Sequence, residues 1–480
     1  MAKRPNILMI VTDHWPAHLL GTAGHPVVKT PGLDELAANG TRFINCYSEC
    51  PVCIPARRTL MTGQTPKSHG DRVFSPRMPM PPVKTMPQAF REAGYQADAV
   101  GKLHVYPQRD RIGFDSVCLD EEGRRQLGGL DDYDIFLGDA GHVGRQYDHG
   151  MSSNQYNWAP WHLDNDLHVT NWASRQMARL IKRRDPTRPA FWYLGFRHPH
   201  PPLVPLQSYI DLYSDVEIDS PRIGNWVESA ETKSLYPFEE MFGRTRLLSS
   251  IDIKEARKAF YSLCTQIDHQ IRWLIGTLRE EGILDDTIIV FTSDHGDMLG
   301  NHNTVAKRLF YEEASNVPLI ILGPSVKPKL RGKNEDERLV GLQDIMPTLL
   351  NMCEIDVPES VEGINLNNNS DRNFIYGEFG VEETASRMVR DSSHKLIYYP
   401  TGNHFQLFDL DLDPYELENV FEKPKKSQIK DRLMSIMRDS FYGSDLEWLN
   451  GDEFVGSPNK PYAWEGSRSL YLQRGEGWPL

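Results

Sequence analysis

The chain has 480 residues, 39% of them hydrophobic and 25% charged, the balance of a folded globular protein with a substantial core. A formal charge of -13 excludes a general nucleic-acid binder, which needs a basic balance, but leaves room for an anionic substrate in a locally basic pocket. No apolar run reaches the roughly 18 residues of a membrane span.

The first element, "NILMIVTD", is a continuous apolar run that predicts a strand buried on both faces over residues 6–12. Its apolar part is too short for a secretory signal and runs straight into Asp13, so the expected compartment is the cytoplasm. "PGLDELAANG" (31–40) opens with Pro and closes with Gly, the asymmetry of a helix. "TMPQAFREAGY" ends the same way, and a strand, "ADAVGKLH", follows it. Residues 141–250 are rich in Trp, His, Pro and Asn and predict inserted loops, apart from one helix near 172–183. Then come the strand "AFWYLGFRHPH", a long amphipathic helix ending at Gly282, and the strands "TIIVFTSDHGD" and "VPLIILGP". Strands alternating with helices predict an α/β sheet covered by helices.

Near Asp371 the pattern changes to short alternating runs, "NFIYGEF", "SRMVRD", "HKLIYYP" and "FQLFDLDLDP", which predict a small antiparallel sheet. The expected division is a catalytic domain over 1–370 and a C-terminal subdomain over 371–480. Beyond Ser444 the chain reads as an irregular tail whose Trp and Tyr residues point to packing on a surface or on a partner chain, the second of which would make a homo-oligomer.

Four of the strand candidates end in chemically capable residues: Asp13-His14, Lys102 with His104, His198-Pro-His200, and Ser293-Asp294-His295-Gly-Asp297. In an open α/β sheet, ligands bind beyond the carboxyl ends of the strands. If these strands share a sheet and a direction, their tips converge in one cleft. Each residue alone has a bland reading as a cap, a turn former or a solvated side chain. The repetition in four runs is what carries weight. Carboxylates with histidine point to a divalent cation, and the lysine and histidines around it suit an anionic ester.

The stretch "SECPVCIPARRTLMTG" spaces Cys50 and Cys53 as a C-x-x-C pair. A redox pair belongs in a small thioredoxin-like unit, and a zinc site needs a second ligand pair, which does not follow. The other reading rests on what comes after: Pro55 and Ala56 can open a helix, with Cys53 at its N-terminus, where the dipole favours negative charge. The six cysteines are sparse for this length and fit a reducing compartment.

Cys53-Ile-Pro55-Ala-Arg57 matches C-x-P-[S/A]-R, and the chain resembles the type I, formylglycine-dependent sulfatases in an ordered set of motifs from residue 6 to about 419: "RPNILMIVTD", "GKLH", "PHPP", "SDHGD", "DIMPTLL" and "LFDLDLDPYELENV". The resemblance implies an alkaline phosphatase-like sandwich, with a large mostly parallel central sheet flanked by helices and a smaller C-terminal antiparallel sheet. It implies hydrolysis of a sulfate monoester of a sugar, aryl or alkyl alcohol. It also implies oxidation of Cys53 to Cα-formylglycine by a maturation enzyme, the hydrated aldehyde then attacking sulfur and expelling sulfate as it re-forms. By this resemblance Asp13, Asp294 and His295 bind a divalent metal together with position 53. The ion expected is Ca²⁺ ahead of Mn²⁺ or Mg²⁺. Arg57 steadies position 53, Lys102 and Lys307 hold sulfate oxygens, His104 deprotonates the diol, and His200 binds sulfate or protonates the leaving oxygen.

The chain departs from the family where many relatives have Asp or Gln at position 14 and Asn at position 295. His14 is read as a metal ligand or as a hydrogen-bonding residue turned aside. Both changes add nitrogen and weigh against strict Ca²⁺ selectivity. His142, His149, His162, His168 and His302 fall in loops and read as packing or surface residues. The rival reaction is phosphonate monoester or phosphodiester hydrolysis; relatives with that activity carry small hydroxyl residues at the "GKLH" site, so Lys102 and His104 favour sulfate.

Overall fold

The architecture follows from where apolar residues must be buried on both sides of a sheet. Strands β1 (Asn6–Asp13), β2 (Thr41–Tyr47), β3 (Gln96–Gly101), β4 (Ser116–Leu119), β5 (Ala190–Pro199), β6 (Thr287–Ser293), β7 (Leu319–Leu322) and β8 (Glu335–Gly341) form one sheet in the computed structural model. It describes residues 4–122, 129–151, 154–243, 248–324, 335–368 and 370–460. The strand order is β4-β3-β5-β1-β6-β7-β2-β8. The adjacent strands β3, β5, β1 and β6 are mutually parallel, so the four chemically equipped tips do emerge at one edge. β7 runs antiparallel to both β6 and β2, so "VPLIILGP" departs from the parallel set.

Helices α1 (Pro31–Asn39), α2 (Cys53–Thr62), α3 (Met86–Glu92), α4 (Val169–Arg183), α5 (Ser250–Glu280) and α6 (Ile345–Met352) cover the sheet. Alternate residues of each central strand serve opposite faces. Leu8, Ile10, Trp192, Leu194 and Phe291 pack against Trp172 and Ile181 of α4 and Phe260 and Ile267 of α5. Ile7, Met9, Phe191, Tyr193 and Val290 pack against Leu60 of α2, Phe90 of α3 and Leu349 of α6. Both faces being apolar explains the unbroken hydrophobic runs. The strands not foreseen, β2, β4 and β8, are edge-ward, short or partly polar, and carry weaker patterns.

β9 (Ile375–Phe379), β10 (Ser386–Arg390), β11 (His394–Tyr399) and β12 (His404–Asp409) form the antiparallel C-terminal sheet, in sequential order. Helix α7 (Ser427–Ser440) packs Leu433 and Met437 on Val389, Leu396 and Leu407. Where an irregular tail was expected after Ser444, residues 443–454 form a helical turn and a two-stranded hairpin, because Trp448 and Phe454 close over Phe441 and Tyr398. The aromatic segment beyond residue 460 lies outside the described residues. No described helix is long and apolar enough to cross a membrane.

The two sheets are tied by a buried charge cluster. Lys395 of β11 reaches Glu312 at 2.6 Å, Glu416 at 2.9 Å and the Phe310 carbonyl at 2.7 Å. This fixes the segment that carries Lys307 against the smaller sheet. Burial pushes Glu416 up to about 8, so its ionised form depends on this lysine. Lys395→Ala is expected to cost about 3–5 kcal/mol by leaving buried carboxylates uncompensated. Urea denaturation measures it, and a loss below about 1 kcal/mol would show that the cluster does not couple the sheets.

Candidate active site

Each strand tip delivers its side chain through a local backbone device. β1 ends at Asp13, and His14 turns off it with a left-handed φ of 73°. Gly101 ends β3 at φ 90°, where an added Cβ would sit 1.9 Å from the Gly195 carbonyl. Only glycine allows that approach, and it swings Lys102 toward β1. Cys53 is the first residue of α2, after an extended Val52, and is buried at the helix N-terminus.

These devices converge. The Cys53 Sγ lies 3.6 Å from Asp13 Oδ1 and 3.2 Å from His295 Nε2. Arg57, one turn along α2, donates from Nε to Asp294 Oδ2 at 2.8 Å and from Nη2 to Asp13 Oδ2 at 3.3 Å. Its Nη1 donates to the Lys102 carbonyl and the Tyr193 hydroxyl, both at 2.9 Å. Lys102 Nζ sits 2.7 Å from Asp13 Oδ2 and also contacts Glu122. Lys307 Nζ contacts His14 Nε2. The His200 ring stands 4.3 Å from the His14 ring, edge to face. Of the residues expected here, Asp13, His14, Cys53, Arg57, Lys102, His200, Asp294, His295 and Lys307 therefore meet in one place. His104 lies on the same loop as Lys102, its N–H donating to Glu121 at 2.7 Å and its ring 5.7 Å from Phe74.

The donor set fits a divalent cation. Ligand atoms of Asp13, His14, Cys53 and His295 all lie within 4.8 Å of one another, and Asp294 Oδ1 is 3.6 Å from His295 Nε2. His295 Nδ1 donates to the Gly296 carbonyl at 2.9 Å, which assigns the lone pair to the inward Nε2. His14 Nδ1 donates to Asp297 Oδ2 at 2.5 Å, with the same result. Burial pushes both imidazoles down, so both are neutral. Burial alone would raise the Asp13 carboxyl, but the Lys102 ammonium and the Arg57 guanidinium hold it well below the usual range. Burial and the Asp13 charge push Asp294 up to about 7. A carboxyl raised by a neighbouring carboxylate marks a place short of positive charge.

Four participants have no role assigned from the sequence. Asp297 sits within "SDHGD" but stands out only through its bond to His14; Tyr156 also donates to it, from a loop. Tyr193 lies inside an apolar strand, where a phenol reads as core. Glu122 follows two other acidic residues and has no pattern of its own. The two cysteines are not bonded: Cys50 and Cys53 are both free thiols. His168 caps α4 and His302 is buried beside Trp226, as packing readings expect.

A small cleft of about 160 Å³ opens from Lys307 and Arg308 toward Phe379, Val381 and Tyr399 of the C-terminal sheet. A larger groove of about 990 Å³ lies at the opposite end of β6, lined by Glu35, Arg272 and Trp273 among others, and includes none of the residues above.

Comparison with known proteins agrees with this geometry. Residues 5–355 match the family model described as sulfatase, and residues 300–441 match N-sulphoglucosamine sulphohydrolase, C-terminal. An arylsulfatase of Clostridium perfringens (strain 13 / Type A) is 33% identical, over 94% of this chain and 97% of its own length. A choline-sulfatase of Rhizobium meliloti (strain 1021) is 28% identical, over 91% of this chain and 86% of its own. Among solved structures, the phosphonate monoester hydrolase of Agrobacterium radiobacter shares the fold with a TM-score of 0.78 at 23% identity, covering 95% of this chain and 100% of that one.

The raised Asp294 carboxyl gives the site a pH signature. Below about pH 7 a cation must displace its proton, so divalent-ion affinity is expected to weaken as pH falls, by up to about tenfold per unit, and to level off above that pH. Calorimetric titration of the metal-free protein with Ca²⁺ or Mn²⁺ in buffers of different ionisation heat reads the released proton. Affinity independent of pH between about 5.5 and 7 would contradict the assignment.

Proposed function

The chain belongs to the sulfatase family and is a sulfuric ester hydrolase, and from that premise we propose that residue 53, as formylglycine, is its nucleophile toward a sulfate monoester of a sugar, aryl or alkyl alcohol. The observation that carries this reading is the position of Cys53: buried at the N-terminus of α2, within 3.6 Å of Asp13 and 3.2 Å of His295, with Arg57 of the same helix on both carboxylates. Hydrated formylglycine supplies a hydroxyl nucleophile, and a divalent cation makes it more acidic while drawing charge from the sulfate.

In this reading Asp13, Asp294 and His295 hold the cation, with His14 as a further nitrogen donor. Ca²⁺ is proposed first, and Mn²⁺ is favoured over Mg²⁺ by the nitrogen count. Arg57 keeps both carboxylates in register with position 53. Lys102 and Lys307 face the sulfate oxygens and offset the charge that builds on them. Burial and the Lys307 charge push His200 down to about 3, so it is neutral before substrate arrives; a bound anion favours its protonated form, which can then donate to the leaving oxygen. His104 is assigned the removal of the second diol proton. The proposal includes a formylglycine-generating partner enzyme, a cytoplasmic location, a homo-oligomer and a domain boundary near residue 370.

Phosphonate monoester hydrolysis is the second reading, favoured by the shared fold. Lys102 and His104 weigh for sulfate.

Three measurements test the proposal. The tryptic peptide containing residue 53 is expected to be about 18 Da lighter than its thiol form. Cys53→Ala is expected to lower kcat/KM on an aryl sulfate by at least about a thousandfold with Tm unchanged. An unconverted thiol in active protein, or an active Cys53→Ala, contradicts the nucleophile. A higher kcat/KM on a phenyl phosphonate ester than on the aryl sulfate reverses the choice of substrate.

A further inference from the structure

The acidic run Asp120-Glu121-Glu122 follows β4 directly, and its three carboxylates have different surroundings. Asp120 pairs with Arg197 at 3.2 Å. Glu121 accepts the backbone N–H groups of Leu103 and His104 at 2.8 and 2.7 Å, so it shapes the loop that carries Lys102. Glu122 turns toward the candidate site. Its carboxylate contacts Lys102 Nζ, and its Oε1 lies 3.8 Å from His200 Nδ1. Both partners are groups that the proposed reaction uses on the sulfate. Glu122 holds this position with a left-handed φ of 61°, uncommon for a residue with a side chain. Strain of this kind persists where the surroundings impose it.

A carboxylate here is costly for an enzyme that binds an anion. Lys102 already faces Asp13 Oδ2 at 2.7 Å, so Glu122 places a second negative charge one ammonium away from the first. Its presence reduces the net positive charge offered to the substrate. The effect depends on how much charge the substrate carries. A sulfate monoester is a monoanion at every working pH, and so is a phosphonate monoester. A phosphate monoester, with its second pKa near 6, is a dianion above about pH 7. The extra unit of charge, about 5 Å from a carboxylate at an effective dielectric of about 20, is disfavoured by on the order of a hundredfold, before neighbouring cations reduce it.

We propose that Glu122 is a specificity-determining residue that rejects dianionic esters, so that the site admits monoanionic sulfate and excludes phosphate monoesters of the same shape. The inference rests on the reading of Lys102 and His200 as groups that face the transferred anion. Glu122 does not take part in bond making: it sets the charge of the pocket.

The test compares three esters of one phenol at about pH 8: the sulfate, the phenyl phosphonate and the phosphate. In Glu122→Gln, kcat/KM for the phosphate is expected to rise by about tenfold or more relative to both monoanions, whose ratio to each other stays unchanged. Glu122→Asp is expected to keep the discrimination of the wild type, and Glu122→Ala to repeat the Gln result if Gln does not fold. A uniform change on all three substrates would show a structural role and overturn the proposal. So would a rise on the phosphonate equal to that on the phosphate. Wild-type protein that turns over the phosphonate but not the sulfate would refute the sulfate reading, while the phosphate-to-phosphonate ratio still decides the role of Glu122.

Discussion

Two carboxylates buried side by side set the terms for everything around them. Asp13 and Asp294 stand at the tips of neighbouring parallel strands, both without solvent exposure. Neither could stay ionised there alone, because burial of an unpaired charge costs several kcal/mol. Arg57 bridges them, and Lys102 adds a second cation on Asp13. The compensation is incomplete, since Asp294 is still pushed up to about 7. The remaining demand for positive charge is what makes this point of the fold fit a divalent ion. Arg57 can meet both carboxylates because it rides on the helix whose first residue is Cys53, so the same helix that balances the acids carries the residue proposed as the nucleophile.

The sheet supplies the precision. β3, β5, β1 and β6 are parallel and adjacent, and both faces are closed by helices, so their tips have little freedom. The close approach of Gly101 to Gly195 lets Lys102 leave β3 toward β1 rather than along its own axis. On the far side, the buried Lys395 cluster holds residues 310–312 against the C-terminal sheet. That sheet therefore forms one wall of the cleft at Lys307.

Much of this was legible in the chain because burial on both faces produces long apolar runs, and a polar residue ending such a run is conspicuous. Asp13, Lys102, His200 and Asp294 stood out in this way, and the order of motifs pointed to the family. Residues whose role depends on contacts from distant loops were not legible. Tyr193 alternates correctly for the core, yet its hydroxyl serves Arg57. Tyr156 reaches Asp297 across 141 positions of sequence. β8 opens with "EDER", which carries no strand pattern, since it pairs at the sheet edge, where Glu335 and Glu337 stay exposed.

His14 shows how a departure from a family pattern can be absorbed by its surroundings. The position faces both the carboxylate cluster and Lys307. An imidazole there brings no charge, so it needs a partner to fix its tautomer, and Asp297 provides one at 2.5 Å. Asp297 is in turn held by Tyr156 and by the N–H groups of Leu299 and Ala306 at 2.9 and 3.2 Å. Burial pushes its carboxyl up to about 7, which favours a shared proton with the imidazole over a separated ion pair. Position 14 thus carries a neutral ring where an aspartate would carry a charge, and Asp297 fixes that ring through Nδ1. Its other nitrogen, Nε2, is the one proposed as a donor to the cation, and in this structure it meets Lys307 Nζ. A neutral imidazole that accepts from the Lys307 ammonium lets the two lie together with no carboxylate at position 14.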